Sequence, residues 1–394
     1  MKIAIFSTGN LSDFKGVMNY VHEKVLRFQQ INDESVKTDL FFLTTKYTGL
    51  LGLLKAIKGE NNKYQTGDVV NIKGVDYHIV VLERCLLDIL TSFIFKKFIS
   101  KTNINRISKL FKEYDIISSH QLPCHYIAYQ IKNQTKKPFI ATWHGSDINV
   151  TPKSSKRNYD LTKMIMESAD QNYFVSKALL KTSDYITKKA YKEHIYTGPS
   201  SIFFKYSEEK RKELRKRLEV ENVKVITFAG NLIDIKNVLV LPSVFKALQQ
   251  KIPNEKLKFW IIGDGNLGEE LKIQLEKSEV DYRMFGKIDS AQMPDYMNCT
   301  DILILPSKNE GFPLVVIEAI SCGSCVVASK VGGLPESAGE NNCFALDDSF
   351  VDNISNRMSD IICNKETPKP LSNEYSWNDA VKKEITEIKK ILEK

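Results

Sequence analysis

Nowhere in its 394 residues does this chain carry an unbroken apolar run of about 18 residues, the length a membrane-spanning helix requires. No such helix is expected. The opening MKIAIFSTGN is too short and too early broken for a secretory signal peptide, and it reads instead as the first strand of a parallel sheet. The seven cysteines are scattered, and an odd number argues against a disulfide framework. Cys322 and Cys325 form a C-x-x-C. A zinc site would need a second pair or histidines at ligand spacing, and none is nearby. A redox pair would open a helix beside an early strand, whereas this one spans a helix end and the next strand. A packing role in a reducing cytoplasm is expected. The chain also lacks internal repeats, low-complexity segments, paired zinc ligands and any aromatic RNP string, so nucleic acid ranks last among partners.

What is present is enough apolar material for two cores. Hydrophobic residues make up 42% of the chain, and its length suits two domains. The net charge of +8 is uneven: residues 1–200 hold 29 Lys+Arg against 18 Asp+Glu, a net +11, and residues 201–394 are at −3. An anionic partner for the first half follows, either a membrane surface or an acidic glycan. Two basic, apolar stretches fit a membrane surface or ordinary core-facing helices: Leu50 to Lys58, and Leu86 to Lys101 with Phe93, Phe95, Lys96, Lys97 and Phe98.

Short apolar runs alternate with helical stretches throughout. In the first half, strands are expected at Ile3–Ser7, Leu40–Thr44, Ile79–Leu82, Asp115–Ser118, Pro138–Trp143, Tyr173–Ser176 and His194–Tyr196, with a helix from about Val17 to Gln29. The pattern restarts with strands at Lys224–Ala229, Lys258–Ile262 and Tyr282–Phe285. Helices follow at Val238–Gln250, Leu267–Lys277 and Gln292–Asn298. Such alternation predicts doubly wound α/β sheets. The boundary falls near Gly198 to Lys205, giving domains over 1–200 and 201–372. The charged tail 373–394 reads as a helix from Trp377.

The most informative stretch is DILILPSKNEGFPLVVIEAISCGSCVVASKVGGLPE, Asp301 to Glu336. It reads as strand, loop, helix, strand. Pro313 suits the first helical position and Gly323 the residue past the helix end. Between them Leu314, Val315, Val316, Ile317, Ala319 and Ile320 surround Glu318, so the carboxylate is expected in a buried helix that penalises charge. A pair of sugar hydroxyls would satisfy it, as would a structural Lys or Arg. The N–H groups of Phe312 to Val315 open the helix and suit a phosphate. Glu310 stands at the mouth, eight residues before Glu318.

Glu-Gly-Phe-Pro-Leu, then Glu318-Ala319, Gly323 and Val-Gly-Gly-Leu-Pro-Glu, resembles the Glu-x7-Glu signature of the family 4 retaining glycosyltransferases. That resemblance implies a GT-B fold, with two Rossmann-like domains facing across a cleft and a terminal helix, anchored by Trp377, crossing back to the first domain. It implies that Glu318 accepts ribose hydroxyls and that Glu310 holds sugar hydroxyls near the reacting carbon. Gly311, Phe312, Pro313 and Leu314 would then lie on the donor phosphates. Phe228-Ala229-Gly230-Asn231 followed by Lys236 matches the turn that contacts the diphosphate, except that Asn231 stands where the family usually has Arg. The change removes a fixed, forked cation. Trp143-His144-Gly145-Ser146-Asp147 resembles the family's His-Gly-x-Asp segment, which implies that His144 faces the donor sugar. The glycine loop after the first strand is reduced to Gly16. His120 and His125 flank a loop that could face the acceptor, but by themselves they carry no role.

Gly263-Asp264-Gly265 with Gly268 also matches G-x-G-x-x-G, with Asp281 near where a ribose acid could fall. It lies in the second unit of its domain rather than the first, so a tight turn near the nucleotide is favoured over dinucleotide binding.

The expectation is a retaining, metal-independent, hexosyltransferase-like enzyme without a cofactor. It would move a sugar from a nucleoside-diphosphate sugar to a hydroxyl of a glycan or lipid-linked acceptor in cell-envelope polysaccharide or glycoconjugate synthesis. It would be cytoplasmic, or peripheral on an anionic membrane face. Glu310, Lys236 and His144 are the catalytic candidates. A nucleotide-sugar epimerase or hydrolase of the same fold, and a non-catalytic sugar-nucleotide-binding scaffold, stay open as alternatives.

Overall fold

A computed structural model describes residues 1–11, 16–31, 33–57, 62–86 and 99–394. Contacts divide the chain into two compact units. The first is Met1–Val175, Leu179–Tyr196 and Trp377–Lys394; the second is Ser176–Ala178 and Thr197–Ser376. The divisions lie a few residues from 200 and 372, and the last helix groups with the first unit.

The first unit is built on eight strands: β1 (Lys2–Thr8), β2 (Lys37–Tyr47), β3 (Val69–Ile72), β4 (Val75–Arg84), β5 (Ile116–His120), β6 (Phe139–Trp143), β7 (Gln171–Phe174) and β8 (Lys192–His194). Their order is β3-β4-β2-β1-β5-β6-β7-β8, and every pairing except β3–β4 is parallel. The central strands are buried on both faces, which is why they read as unbroken apolar runs. Strand β3 escapes the sequence reading. It joins β4 through Lys73-Gly74, both at positive φ, a two-residue hairpin whose first position is filled by Lys rather than Asn or Asp. Strand β8 ends at His194, where the sequence reading starts it.

The helix Val17–Gln30 buries Met18, Tyr20, Val21, Val25 and Phe28 on one stripe, and Lys24 lies on that same stripe. The terminal helix Trp377–Leu392 likewise buries Trp377, Val381, Ile385 and Ile388 together with Glu384. Both helices therefore carry a charge at a core position.

The second unit has β9 (Lys224–Ala229), β10 (Leu257–Ile262), β11 (Tyr282–Gly286), β12 (Ile302–Leu305), β13 (Cys325–Ser329) and β14 (Cys343–Phe344). The order β11-β10-β9-β12-β13-β14 is wholly parallel and reverses direction between β9 and β12. In such sheets ligands bind outside the carboxyl ends of the strands at that reversal. The short β14 was not anticipated. The expected helix from Val238 begins as two 3-10 turns, Asp234–Lys236 and Val238–Val240, and becomes α-helical only over Leu241–Lys251. Pro242 occupies the first turn of that helix, where its missing N–H costs nothing.

Among the described residues no helix is long and apolar enough to cross a membrane. The helix Gly49–Ile57 leaves Leu50, Leu53, Leu54 and Ile57 more than half exposed. Of the second basic stretch, residues 87–98 lie outside the described residues, as does Lys58.

Candidate functional site

The loops leaving β9 and β12 meet at the reversal of the second sheet. Lys236 ends the first 3-10 turn after β9. Its Nζ lies 2.5 Å from Glu310 Oε1, with only 21% and 11% of the two side chains exposed. The same loops are joined by Lys308 N–H donating to the Ile235 carbonyl at 2.8 Å, and by a Lys308–Asp234 ion pair at 2.6 Å. A lysine and a glutamate 74 residues apart are thus brought together by neighbouring strands.

The helix after this loop is Leu314–Ser321. Pro313 sits one residue earlier than expected, at the N-cap, with extended backbone. Gly323 does follow the helix end, at φ 93°, and Gly323 N–H and Ser324 N–H close onto the Ile320 and Ala319 carbonyls in a Schellman arrangement. Glu318 departs from expectation. Val316, Ile317 and Ala319 are buried, but Leu314, Val315, Glu318 and Ile320 are only half-buried. The apolar composition hides an open face, and Glu318 lies on it, one turn beyond Leu314. The carboxylate is therefore not forced into an apolar core.

Two glycine turns hold these loops by backbone contact. A Cβ on Gly332 would stand 1.8 Å from the Glu310 carbonyl oxygen, and one on Gly333 would stand 2.4 Å from that of Gly311. On the other side, a Cβ on Gly263 would stand 1.8 Å from the Gly230 carbonyl oxygen, and one on Gly265 would meet Leu232 backbone at 2.3 Å. Hydrogen bonds Leu232 N–H to Asp264 and Leu267 N–H to Leu232 tie that turn to the Gly230–Leu232 turn. This accounts for the G-x-G-x-x-G string: its first two glycines admit a neighbouring backbone. Asn231 is half-buried within the turn so held. Phe312 packs against Tyr375 at 5.6 Å, and Tyr375 donates to the Glu336 carbonyl at 2.6 Å. The Glu336 carboxylate accepts from Lys177 N–H and Ala178 N–H at 2.9 and 2.6 Å.

The cysteines are free thiols. Burial pushes Cys322 up to about 12 and Cys325 to about 11, so both stay protonated and inert.

In the first unit, His144 follows β6, half-buried. Its Nε2 is 3.0 Å from His120 Nδ1, and its ring packs edge-on to Tyr20 at 4.8 Å. Asp147 accepts from the His144 and Gly145 N–H groups; burial raises its carboxyl to about 6. His120 Nε2 is 3.3 Å from Lys24 Nζ, which pairs with Glu384 at 2.7 Å. Burial, with the Lys24 charge, holds His120 well below the usual imidazole range. The same two causes lower His144. His125 is fully buried against Trp143, its Nδ1 bonded to Ser119 Oγ at 2.8 Å. Gly16 caps the helix Val17–Gln30 at φ 51° and is exposed, and among the described residues no atom lies within 4 Å of where its Cβ would stand. Of the stretch around it, residues 12–15 lie outside the described residues.

The sequence reading names His120 without a role and does not single out Lys24 or Glu384. The signal was there: a lysine and a glutamate each interrupt an otherwise apolar helical stripe.

Residues 209–375 match the family described as glycosyl transferases group 1. The chain is 28% identical over 230 residues to the candidate teichuronic acid biosynthesis glycosyltransferase TuaC of Bacillus subtilis, covering 58% of this chain and 56% of that protein. It is 26% identical over 218 residues to the N-acetyl-alpha-D-glucosaminyl L-malate synthase of Bacillus anthracis, covering 54% and 55%. The chain thus spans little more than half the length of these two relatives. Among solved structures, Anabaena Alr3699/HepE in complex with UDP superposes with a TM-score of 0.69 at 17% identity, covering 100% of this chain and 99% of that one. The sucrose-phosphate synthase of Thermosynechococcus elongatus gives 0.74 at 15% identity, covering 99% and 98%. The fold is GT-B. The residues that match the glycosyl transferases group 1 model, 209–375, lie within the second unit.

Proposed function

We propose that this chain is a retaining family 4 glycosyltransferase. It moves a hexose from a nucleoside-diphosphate sugar to a hydroxyl of a glycan or lipid-linked acceptor in cell-envelope synthesis. The observation that carries the reading is the Lys236–Glu310 pair at the reversal of the second sheet, the place where such sheets take their ligands. The leaving nucleoside diphosphate gathers negative charge as the glycosidic bond breaks. Lys236, the N–H groups near Phe312 to Leu314, and Asn231 are assigned to that charge, preorganised donors being the largest common source of such stabilisation. No resident cofactor or metal enters this reading. Glu310, released from Lys236, takes sugar hydroxyls near the reacting carbon. Glu318, on the open helix face, takes the ribose. His144 is assigned to the sugar and Gly16 to the loop beside the phosphates. One relative is named for teichuronic acid biosynthesis, which supports a glycan acceptor; the other is named for L-malate, a small hydroxy acid, and supports only a hydroxyl as the group glycosylated.

Association with an anionic membrane face belongs to the same proposal. Leu50, Leu53, Leu54 and Ile57 expose one aliphatic face within the basic first half of the chain.

A thermal-shift screen against UDP, GDP, ADP, their sugars and NAD tests the donor. A saturable shift with one nucleoside diphosphate and its sugars is expected. A response to NAD alone would overturn the reading. With the donor base known, the anomeric configuration of the product formed on a soluble acceptor tests retention, and an inverted product would refute it. Donor breakdown with no glycoside on any acceptor would favour an epimerase or hydrolase.

A further inference from the structure

The buried polar cluster of the first unit has a direction. Lys24 is 1% exposed, and its ammonium has three hydrogens and three partners: Glu384 at 2.7–2.8 Å, Ser118 Oγ at 3.0 Å and His120 Nε2 at 3.3 Å. Ser118 Oγ donates in turn to Glu384 Oε1 at 2.8 Å. A buried ammonium whose every hydrogen has an acceptor, one of them a carboxylate, is kept charged by that set even though burial alone would lower its pKa. An ammonium only donates. His120 Nε2 must therefore accept, and a neutral His120 carries its hydrogen on Nδ1. That hydrogen lies on the 3.0 Å contact to His144 Nε2, so His144 Nε2 must also accept. The hydrogen of His144 is left on Nδ1.

We propose that Glu384, Lys24 and His120 form a one-way relay that locks His144 in its Nδ1–H tautomer, so that His144 meets its ligand as a hydrogen-bond donor. Its Nε2 lone pair is already engaged by His120. The ring then recognises an oxygen, either a sugar hydroxyl or a phosphate oxygen, and takes no proton from an acceptor. In water a neutral histidine favours the opposite, Nε2–H, form, so the assignment is specific. Lys24, His120 and Glu384 are positioning residues. Glu384 and Lys24 lie 360 positions apart, so the terminal helix supplies one end of the relay. The part of the inference that concerns a ligand rests on the assignment of His144 to the donor; the tautomer does not.

The test is a long-range proton–nitrogen correlation spectrum of the whole chain with labelled histidines, the His144 signals being identified by their loss in His144→Gln. His144 Nδ1 should appear at a protonated shift and Nε2 at an unprotonated one. Nε2–H, or a cationic ring at neutral pH, would overturn the relay. Lys24→Met removes the first donor, so His144 should move toward Nε2–H, and donor KM should rise on the order of tenfold. Glu384→Gln removes the carboxylate that keeps Lys24 an ammonium, so the Nδ1–H signature should weaken; an unchanged signature would take Glu384 out of the relay. If Lys24→Met fails to fold, the unaltered chain and Glu384→Gln still decide. Nδ1–H without any donor binding would sustain the relay and refute the transferase reading. Sugar transfer by a chain whose His144 is Nε2–H would do the reverse.

Discussion

Lys236 Nζ and Glu310 Oε1 lie 2.5 Å apart, on loops that leave the two neighbouring strands where the second sheet reverses its order. The two groups given the phosphate and the sugar in the proposed reaction hold each other here. A donor diphosphate must take Lys236 from Glu310, and that exchange frees the carboxylate for sugar hydroxyls. Lys236→Ala should therefore lower turnover on the order of 10²-fold or more, the usual scale for one lost donor of this kind. Glu310→Gln should also lower it, and the double variant should lose less than the two losses combined, because the residues are coupled. Near-normal turnover of Lys236→Ala would remove the lysine from the site.

The glycine turns allow a sharper comparison within one motif. Gly263→Ala places a methyl group 1.8 Å from the Gly230 carbonyl oxygen, at a φ of 134° that suits no side chain. Neither backbone can give cheaply. A loss of about 2 kcal/mol or more is expected from overpacking and strain together. At Gly268 the nearest atom is a Leu232 methyl at 3.4 Å, so Gly268→Ala should be within about 1 kcal/mol of neutral. Gly332→Ala should behave like Gly263→Ala and also weaken the stabilisation given by the nucleotide, since it displaces Glu310 backbone. Urea unfolding of the three variants decides. Equal effects at Gly263 and Gly268 would contradict the packing account.

The central strands of both sheets were legible because parallel strands covered on both faces are short apolar runs between turn signals, as at Ile3–Ser7 and Ile302–Leu305, whereas the edge strands β3, β8 and β14 were missed or misplaced. The hairpin at Lys73-Gly74 was not legible, because lysine is an unusual residue in that turn. Glu318 was misjudged because composition does not show which face of a helix stays open. Glu310 and Lys236 were each marked by a local string, but nothing in the sequence says that they touch. Lys24 and Glu384 illustrate the same limit: each is visible as a charge on an apolar stripe, and only the packed unit pairs them.

The exposed face of Gly49–Ile57 makes the membrane proposal testable by itself. Replacing Leu50, Leu53, Leu54 and Ile57 with serine removes four exposed aliphatic side chains that have little packing to lose. Stability should change by no more than about 2 kcal/mol, about 0.5 kcal/mol for each of the four surface positions. Co-sedimentation with vesicles containing anionic lipid should fall sharply, while transfer to a soluble acceptor should be unchanged. Unaltered sedimentation would remove this helix from any membrane contact.

The buried histidines should set the acid limit of stability. His120, His125 and His144 are all held below the ordinary imidazole value of 6.5, by burial first, and His22 shifts in the same direction. Below that value the unfolded chain takes up protons that the folded protein refuses. Their contribution is thus fully present above about pH 6.5 and is lost as pH falls, at up to about 1.4 kcal/mol per pH unit for each group. Asp147 opposes this. Its carboxyl is raised by burial from 3.8 to about 6, so between those values the folded protein holds a proton that the unfolded chain has released. Acidification through that window therefore favours the folded state by one group, against three or four that disfavour it. The urea midpoint should fall between pH 7.5 and 5.5. His125→Leu removes one of the refusing groups, and Ser119 Oγ keeps its bond to the Ile140 carbonyl at 2.9 Å. That variant should show a shallower fall. A midpoint that holds or rises down to pH 5.5 would mean that these rings are already charged in the folded protein, which would also undo the tautomer assigned to His144.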